Sequence, residues 1–135
     1  MKVTIRFMAP LTVAVVLLLS GCGQDTSDDR ASGRDLFISA PGNIGFQGLW
    51  CSTCHKIESV PGSVGGIGPD LTNIGTDAAT RLPGISAQEY IKQSIRDPGA
   101  FVVEGYPNDL MTTAITESLT DQQVEALVDF LLAQK

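Results

Sequence analysis

The clearest hydrophobic pattern in this chain lies near its C-terminus. Apolar residues recur there at the three- and four-residue spacing of one helix face: Val124, Leu127, Val128, Leu131 and Leu132. Thr120 precedes them as a suitable N-cap, and Gln123 stands at the position that completes a capping box. The sequence therefore predicts an amphipathic helix that starts after Thr120 and buries one face.

A second helix is predicted to begin at Ser86. Glu89 completes its capping-box pattern, and Ile91 and Ile95 lie on one helix face. The Asp-Pro-Gly segment at residues 97–99 should end it, because proline and glycine both interrupt helices.

Elsewhere in the domain the sequence predicts one short helix, over residues 33–39, and loops. Residues 42–48 and 62–75 carry repeated glycines, which favour loops. No segment shows a strong strand pattern. The predicted fold class is therefore all-α, with three or more helices.

The first 21 residues read as an export signal. Lys2 and Arg6 supply a positive start, and residues 7–19 supply an apolar core. That core is shorter than the ~20 apolar residues that a membrane-spanning helix needs. Residues 1–21 are therefore interpreted as a signal peptide.

The Leu-Ser-Gly-Cys segment that ends at Cys22 resembles a bacterial lipobox. In lipoproteins of that class the cysteine becomes the lipidated first residue, and two or more acyl chains give durable membrane anchoring. A free or cross-linking thiol is the alternative for Cys22. The lipidation hypothesis makes residues 22–31 a lipidated, polar tether on the outer face of the bacterial cytoplasmic membrane, followed by one domain over residues 32–135.

Signal removal would make the chain more acidic. Loss of Lys2 and Arg6 reduces the basic residues from 9 to 7 against 15 acidic ones, so the formal charge changes from −6 to −8. Such a charge argues against binding nucleic acid. It favours a partner with a basic docking face, or else serves solubility alone.

Cys51 and Cys54 stand three positions apart, and His55 follows directly. Two thiols and an adjacent imidazole at this spacing are typical of c-type haem attachment. Each thiol can add to one vinyl group of the porphyrin, and the neutral imidazole can bind the iron. His55 is the chain's only histidine, so this interpretation makes it the proximal axial ligand.

Other interpretations of these three residues explain less. A zinc site usually requires four protein ligands, and the chain has no second Cys-x-x-Cys pair. A thioredoxin-like redox pair would follow a strand, and no segment of this chain shows a strong strand pattern. A structural disulfide between Cys51 and Cys54 would close a very small loop and leave His55 without a role.

If the iron is six-coordinate, elimination makes Met111 the leading candidate for its second axial ligand. Met1 and Met8 belong to the predicted signal, so Met111 is the only methionine left in the mature chain. The irregular segment 106–110 that precedes Met111 suits a loop over the haem. A thioether opposite histidine is a common haem pairing. The alternative is that Met111 simply fills the core.

The chain beyond the tether resembles a small monohaem cytochrome c. The likeness rests on the Cys-x-x-Cys-His motif, on residues 33–37 and 127–131 as the first and last helices, and on Gly-Pro-Asp-Leu at residues 68–71. It implies an all-α fold around one covalent haem c. It also implies a close helix crossing at Gly33, and a Pro69 carbonyl that accepts the N–H of the proximal histidine.

A haem with both axial positions filled has no free site for a substrate, so the resemblance implies electron transfer and not catalysis. The implied partners are redox proteins of a respiratory or photosynthetic chain, such as quinol-oxidising complexes or terminal oxidases. The chain is similar to the monohaem lipoprotein subunit of alternative complex III and to cytochrome domains fused to oxidase subunit II. The alternatives are a gas sensor or peroxidase-like enzyme with an open axial position, or haem as a structural staple.

Two further residues are candidates for contacts with the haem propionates. Trp50 and Arg81 both carry N–H donors. The alternative is that Trp50 belongs to the core and Arg81 to the surface.

Overall fold

The computed structural model describes residues 32–39 and 49–135. These residues form six helices: α1 (Gly33–Ile38), α2 (Cys51–Cys54), α3 (Ile74–Arg81), α4 (Ala87–Arg96), α5 (Thr113–Thr116) and α6 (Asp121–Leu132). No strand occurs within the two described ranges, and the all-α fold class is confirmed.

None of the helices in the described ranges has the length and apolar character needed to cross a bilayer. The predicted signal peptide, Cys22, the tether and the loop at 42–48 lie outside the described residues.

The two capping boxes that the sequence predicts are present. The Thr120 hydroxyl accepts the Gln123 N–H at 3.2 Å, and the Gln123 side-chain oxygen accepts the Thr120 N–H at 2.9 Å. At α4, the Ser86 hydroxyl accepts the Glu89 N–H at 3.2 Å, and the Glu89 carboxylate accepts the Ser86 N–H at 2.9 Å. Hydrogen bonds from the Ser86 backbone and hydroxyl lower the pKa of Glu89. Both helix starts therefore agree with the local sequence pattern.

The first and last helices pack closely against each other. The rings of Phe37 and Phe130 lie 5.7 Å apart between centroids, in a tilted arrangement. Gly33 faces the α6 backbone so closely that a Cβ atom there would lie 1.9 Å from the Ala126 carbonyl oxygen. The buried apolar residues of these two helices are Leu36, Phe37, Val124, Leu127, Val128 and Leu131. Only a residue without a side chain fits at position 33.

The sequence pattern missed α3. The loop predicted over residues 62–75 ends earlier, because α3 begins at Ile74. Gly75 is a poor helix former, yet it packs against the end of α6, where an added Cβ would lie 2.2 Å from the Leu132 carbonyl oxygen. Its N–H donates to the Gln134 carbonyl at 2.9 Å. Tertiary contact therefore outweighs a weak local preference.

Charged side chains connect α4 to α6 at the protein surface. Arg96 donates to the Leu119 carbonyl at 2.9 Å and also pairs with Asp121 at the start of α6. Lys92 pairs with Glu125 one turn further along. Each exposed pair contributes little by itself, but the Arg96 contact with a backbone carbonyl sets where α6 begins relative to α4.

Gly33→Ala should destabilise the folded protein. The new methyl group would overlap the Ala126 carbonyl and force α1 away from α6, at a cost of ~1–3 kcal/mol in the free energy of unfolding. Gly99→Ala is the matched control, because the nearest atom to its Cβ would be the Asp97 Oδ1, at 3.9 Å. Chemical denaturation of both variants measures the difference. Equal stability of the two would contradict the close crossing.

Candidate functional site

The helices surround one large, mainly apolar cavity. Its volume is about 1440 Å³, including a part that is open to solvent. All six helices contribute to its lining, through residues that include Phe37, Cys51, Ile74, Ile91, Ile115 and Leu127. A cavity of this kind suits a large, flat, apolar ligand.

The sequence-predicted site residues in the described ranges all line this cavity. They are Cys51, Cys54, His55, Pro69 and Met111. Cys51 and Cys54 come from α2, whereas the other three residues come from segments outside the helices. The fold thus brings together residues that are far apart in the chain.

Helix α2 presents both thiols to the cavity within a single helical turn. Cys51 and Cys54 are free cysteines, so the structure does not contain the disulfide that was one alternative. The His55 N–H donates to the Cys51 carbonyl at 2.8 Å and ends the helix. The Ser52 hydroxyl donates to the Ile38 carbonyl at 3.4 Å, which connects α2 to the end of α1.

The Cys51 thiol is held in its protonated form. Burial raises its pKa from 9.0 to about 11, and the nearby Cys54 adds a smaller upward contribution against the downward effect of a backbone hydrogen bond. Redox-active and metal-binding cysteines need an accessible thiolate, which a lowered pKa provides. Residues 32–39 and 49–135 also contain no group of three or more His, Cys, Asp or Glu side chains that could hold a metal ion. These observations disfavour the zinc and redox-pair alternatives.

His55 has a defined orientation and a defined proton position. Its Nδ1 lies 2.8 Å from the Pro69 carbonyl oxygen, which can only accept, so Nδ1–H is the donor. The lone pair of Nε2 is then available to a metal. Burial lowers the pKa of His55, while the hydrogen bond to Pro69 opposes that shift. The imidazole is therefore neutral at neutral pH, as iron ligation requires.

Pro69 is held in place by hydrogen bonds on both sides. The Gly68 N–H donates to the Cys54 carbonyl at 2.9 Å and joins this loop to α2. The Asp70 carboxylate accepts the Thr72 N–H at 2.8 Å and also the Thr72 hydroxyl. The hydroxyl and then the backbone N–H of Thr72 lower the pKa of Asp70. The carbonyl that orients His55 thus belongs to an ordered turn.

Gly68 is a site residue that the sequence did not single out. A Cβ at this position would lie 2.5 Å from Cε1 and 2.8 Å from Nδ1 of His55. The residue was visible only as part of the Gly-Pro-Asp-Leu motif, with no indication that it touches the histidine. Its lack of a side chain leaves room for the imidazole.

Met111 reaches the same cavity from another part of the chain. It is half-buried and lies in a segment without helix that ends where α5 begins. Tyr106, Pro107 and Leu110 from this segment also line the cavity. The structure therefore puts the methionine and His55 on one cavity.

Trp50 and Arg81 also line the cavity. Trp50 is half-buried and stands at the N-cap of α2. Arg81 is the last residue of α3 and lies 3.6 Å from the Asp77 carboxylate. Both residues that the sequence suggested as contacts for the haem propionates therefore line the cavity.

Residues 33–135 match the family model described as Cytochrome c. The matched region covers most of the chain and all of the described cavity residues. No curated protein matches the chain. Members of this family carry covalently attached haem c, and the present residues fit that group. Two free thiols and a neutral imidazole with an available Nε2 share an apolar cavity.

Gly68→Ala should disturb the position of His55. The added methyl group must displace either the imidazole or the Pro69 turn, so we expect an altered haem absorption spectrum and a free energy of unfolding lower by ~1–3 kcal/mol. Gly99→Ala again serves as the control for a glycine with open surroundings. A Gly68→Ala holoprotein with the spectrum and stability of this control would refute the proposed contact.

Proposed function

Because the chain belongs to the cytochrome c family, we propose that it transfers single electrons with one haem c in a membrane-associated electron transport chain. One observation carries this proposal. Cys51, Cys54, His55 and Met111 come from two separate segments and line the same apolar cavity. The two cysteines would supply the covalent attachment of the haem. His55 and Met111 would supply a histidine–methionine pair of iron ligands, which is common in cytochromes c.

Cys51 and Cys54 would hold the porphyrin, each through one thioether bond. Because this attachment adds an S–H bond across a vinyl group, it would require neither an oxidant nor a leaving group. Both thiols lie on one turn of α2, which sets their spacing.

His55 and Met111 would be the two protein ligands of the haem iron. When bound, the haem iron supplies a one-electron couple between its ferric and ferrous states. Pro69 accepts the Nδ1–H of His55, which keeps Nε2 directed away from the turn. The thioether of Met111 raises the reduction potential relative to a second nitrogen ligand. The mainly apolar wall would limit the contact of the haem with water.

An electron carrier explains the site better than a gas sensor or peroxidase-like enzyme. His55 is the only histidine in the chain, and its hydrogen bond to Pro69 leaves Nε2 available to bind the iron. No histidine then remains to act as an acid or base on the other face. With Met111 as a ligand, the second axial position is filled and the protein has no catalytic role of its own.

We further propose that the protein is attached by lipid at Cys22 to the outer face of the bacterial cytoplasmic membrane. Its partners are then membrane redox proteins such as quinol-oxidising complexes or terminal oxidases. The support is the lipobox-like segment before Cys22 and the charge of −8 that remains after signal removal. That charge favours partners with a basic docking face.

Met111→Ala should open one axial position of the haem. We expect a lower reduction potential, an altered absorption spectrum, and ready binding of carbon monoxide by the reduced protein, because the iron loses its thioether ligand. Thr112→Ala is the control, since Thr112 is adjacent to Met111, exposed, and not part of the cavity lining. Spectroelectrochemical titration and carbon monoxide titration measure the effects.

Two results would count against this ligand assignment. One is a Met111→Ala protein with the same spectrum and potential as the unsubstituted protein. The other is an unsubstituted reduced protein that already binds carbon monoxide readily, which would favour the sensor or enzyme alternative.

Cys22→Ser should release the protein from the membrane. Serine has no thiol to lipidate, so the haem-stained polypeptide should move from the membrane fraction to the soluble fraction. Thr26→Ala, which alters the tether beyond the lipobox, should remain in the membrane fraction. Recovery of Cys22→Ser entirely with membranes would overturn the lipid anchor.

A further inference from the structure

The part of the chain that carries Met111 has few hydrogen bonds to the rest of the protein. Residues 101–119, here called the Met111 segment, include α5 and line the cavity with Met111, Ile115 and Leu119 among others. Within the described ranges, one hydrogen bond joins this segment to the remainder of the chain. It runs from the Arg96 guanidinium to the Leu119 carbonyl, at 2.9 Å. The position of the segment therefore depends on a single side chain to an unusual degree.

The histidine side of the cavity is held in a different way. Residues 68–72 are joined to residues 54–58 by several hydrogen bonds, among them one of 2.8 Å from the Leu71 N–H to the Lys56 carbonyl. Any one of these bonds has neighbours that keep the two segments together. His55 is thus fixed by many contacts, whereas the segment with the second candidate ligand has one.

Arg96 is placed so that it closes the Met111 segment into a loop. It is the last residue of α4, and only the turn at residues 97–100 separates it from the start of the segment. Its side chain reaches the other end of the segment at Leu119. A bond between the two ends limits the conformations that a loop of this length can adopt.

The bond between Arg96 and Leu119 has the properties of a strong contact. The Arg96 side chain is 30% exposed and Leu119 is 8% exposed, so water has limited access to it. Its donor is charged, and charge-assisted hydrogen bonds are stronger than neutral ones. The ion pair of Arg96 with Asp121 is different, because the Asp121 side chain is 94% exposed. An ion pair with one partner in solvent contributes little.

Leu119 is connected to Met111 by ordered backbone. Successive turns run through residues 112–119, with backbone hydrogen bonds of 2.7–3.1 Å. Thr112, the residue after Met111, is the N-cap of α5, and its carbonyl accepts the Ile115 N–H at 3.0 Å. A change in the position of Leu119 should therefore reach Met111 through a short, ordered connection.

We propose that Arg96 is a positioning residue for Met111 and that it acts by holding the Leu119 carbonyl. The bond keeps the Met111 segment at the cavity wall and so opposes displacement of the thioether from the iron by other ligands. The ion pair with Asp121 does not have this role. The proposal rests on the proposed ligation of the iron by Met111.

Competition with imidazole tests the role of Arg96 in the full-length ferric holoprotein. Imidazole can bind the iron only when Met111 has left it, so the measured affinity rises with the population of protein whose methionine is displaced. A spectroscopic titration gives this affinity. The charge-transfer band of the ferric sulfur–iron bond reports separately whether Met111 is bound.

Four variants separate the hydrogen bond from other effects. Arg96→Ala removes the bond to Leu119, and Asp121→Asn removes only the ion pair. Lys92→Ala is the matched control, because Lys92 is also on α4 and pairs with α6 but does not contact the Met111 segment. Gly33→Ala is the control for general loss of stability at a distance from that segment.

We expect Arg96→Ala to bind imidazole about tenfold more tightly than the unsubstituted protein, as the loss of one charge-assisted hydrogen bond predicts. Asp121→Asn, Lys92→Ala and Gly33→Ala should stay within about twofold of the unsubstituted protein. An Arg96→Ala affinity equal to that of Lys92→Ala would overturn the proposal. An equal gain in Gly33→Ala would also overturn it, since general loss of stability would then explain the effect.

Two further results are decisive. If Arg96→Ala does not retain haem, Arg96→Lys is compared in its place, because lysine lacks the fork that binds Leu119 and Asp121 together, and an unchanged affinity then overturns the proposal. Absence of the sulfur–iron band from the unsubstituted protein would overturn the ligation by Met111 and this inference with it. A normal band with unchanged imidazole affinity in Arg96→Ala would overturn the role of Arg96 alone.

Discussion

The close packing of α6 against three other helices is the constraint on which the described structure depends. α1 crosses it at Gly33, where no side chain fits, and α3 meets its end at Gly75. α4 is connected to it through Arg96 and Lys92. These contacts fix the positions of four helices that form much of the cavity wall. The geometry of the site therefore depends on backbone and side-chain contacts between the helices.

The chemistry-bearing residues lie mostly outside long helices. His55 ends the single turn of α2, Pro69 lies in a turn, and Met111 lies in a segment without helix. The helices supply the apolar wall, while these shorter segments supply the ligands. The turn at Pro69 is nevertheless ordered, because Gly68 donates to α2. A rigid scaffold with functional residues on its connections is a common arrangement.

The site and the surface differ in charge. Burial keeps the Cys51 thiol protonated and the His55 imidazole neutral. The chain as a whole is acidic. Arg81 lines the cavity and lies 3.6 Å from the Asp77 carboxylate. A neutral interior suits the covalent attachment of haem c that is typical of this family.

The sequence alone determined the starts of α4 and α6, because a capping box and a helical face are patterns within a few neighbouring residues. The Cys-x-x-Cys-His motif and the count of histidines likewise indicated a haem c, which the family match supports. Only the tertiary structure decided that α3 forms around Gly75, that Gly68 touches His55 and that Arg81 borders the cavity. The physical reason is distance along the chain. Local patterns encode local hydrogen bonds, whereas close approaches between separated segments exist only after the helices have packed.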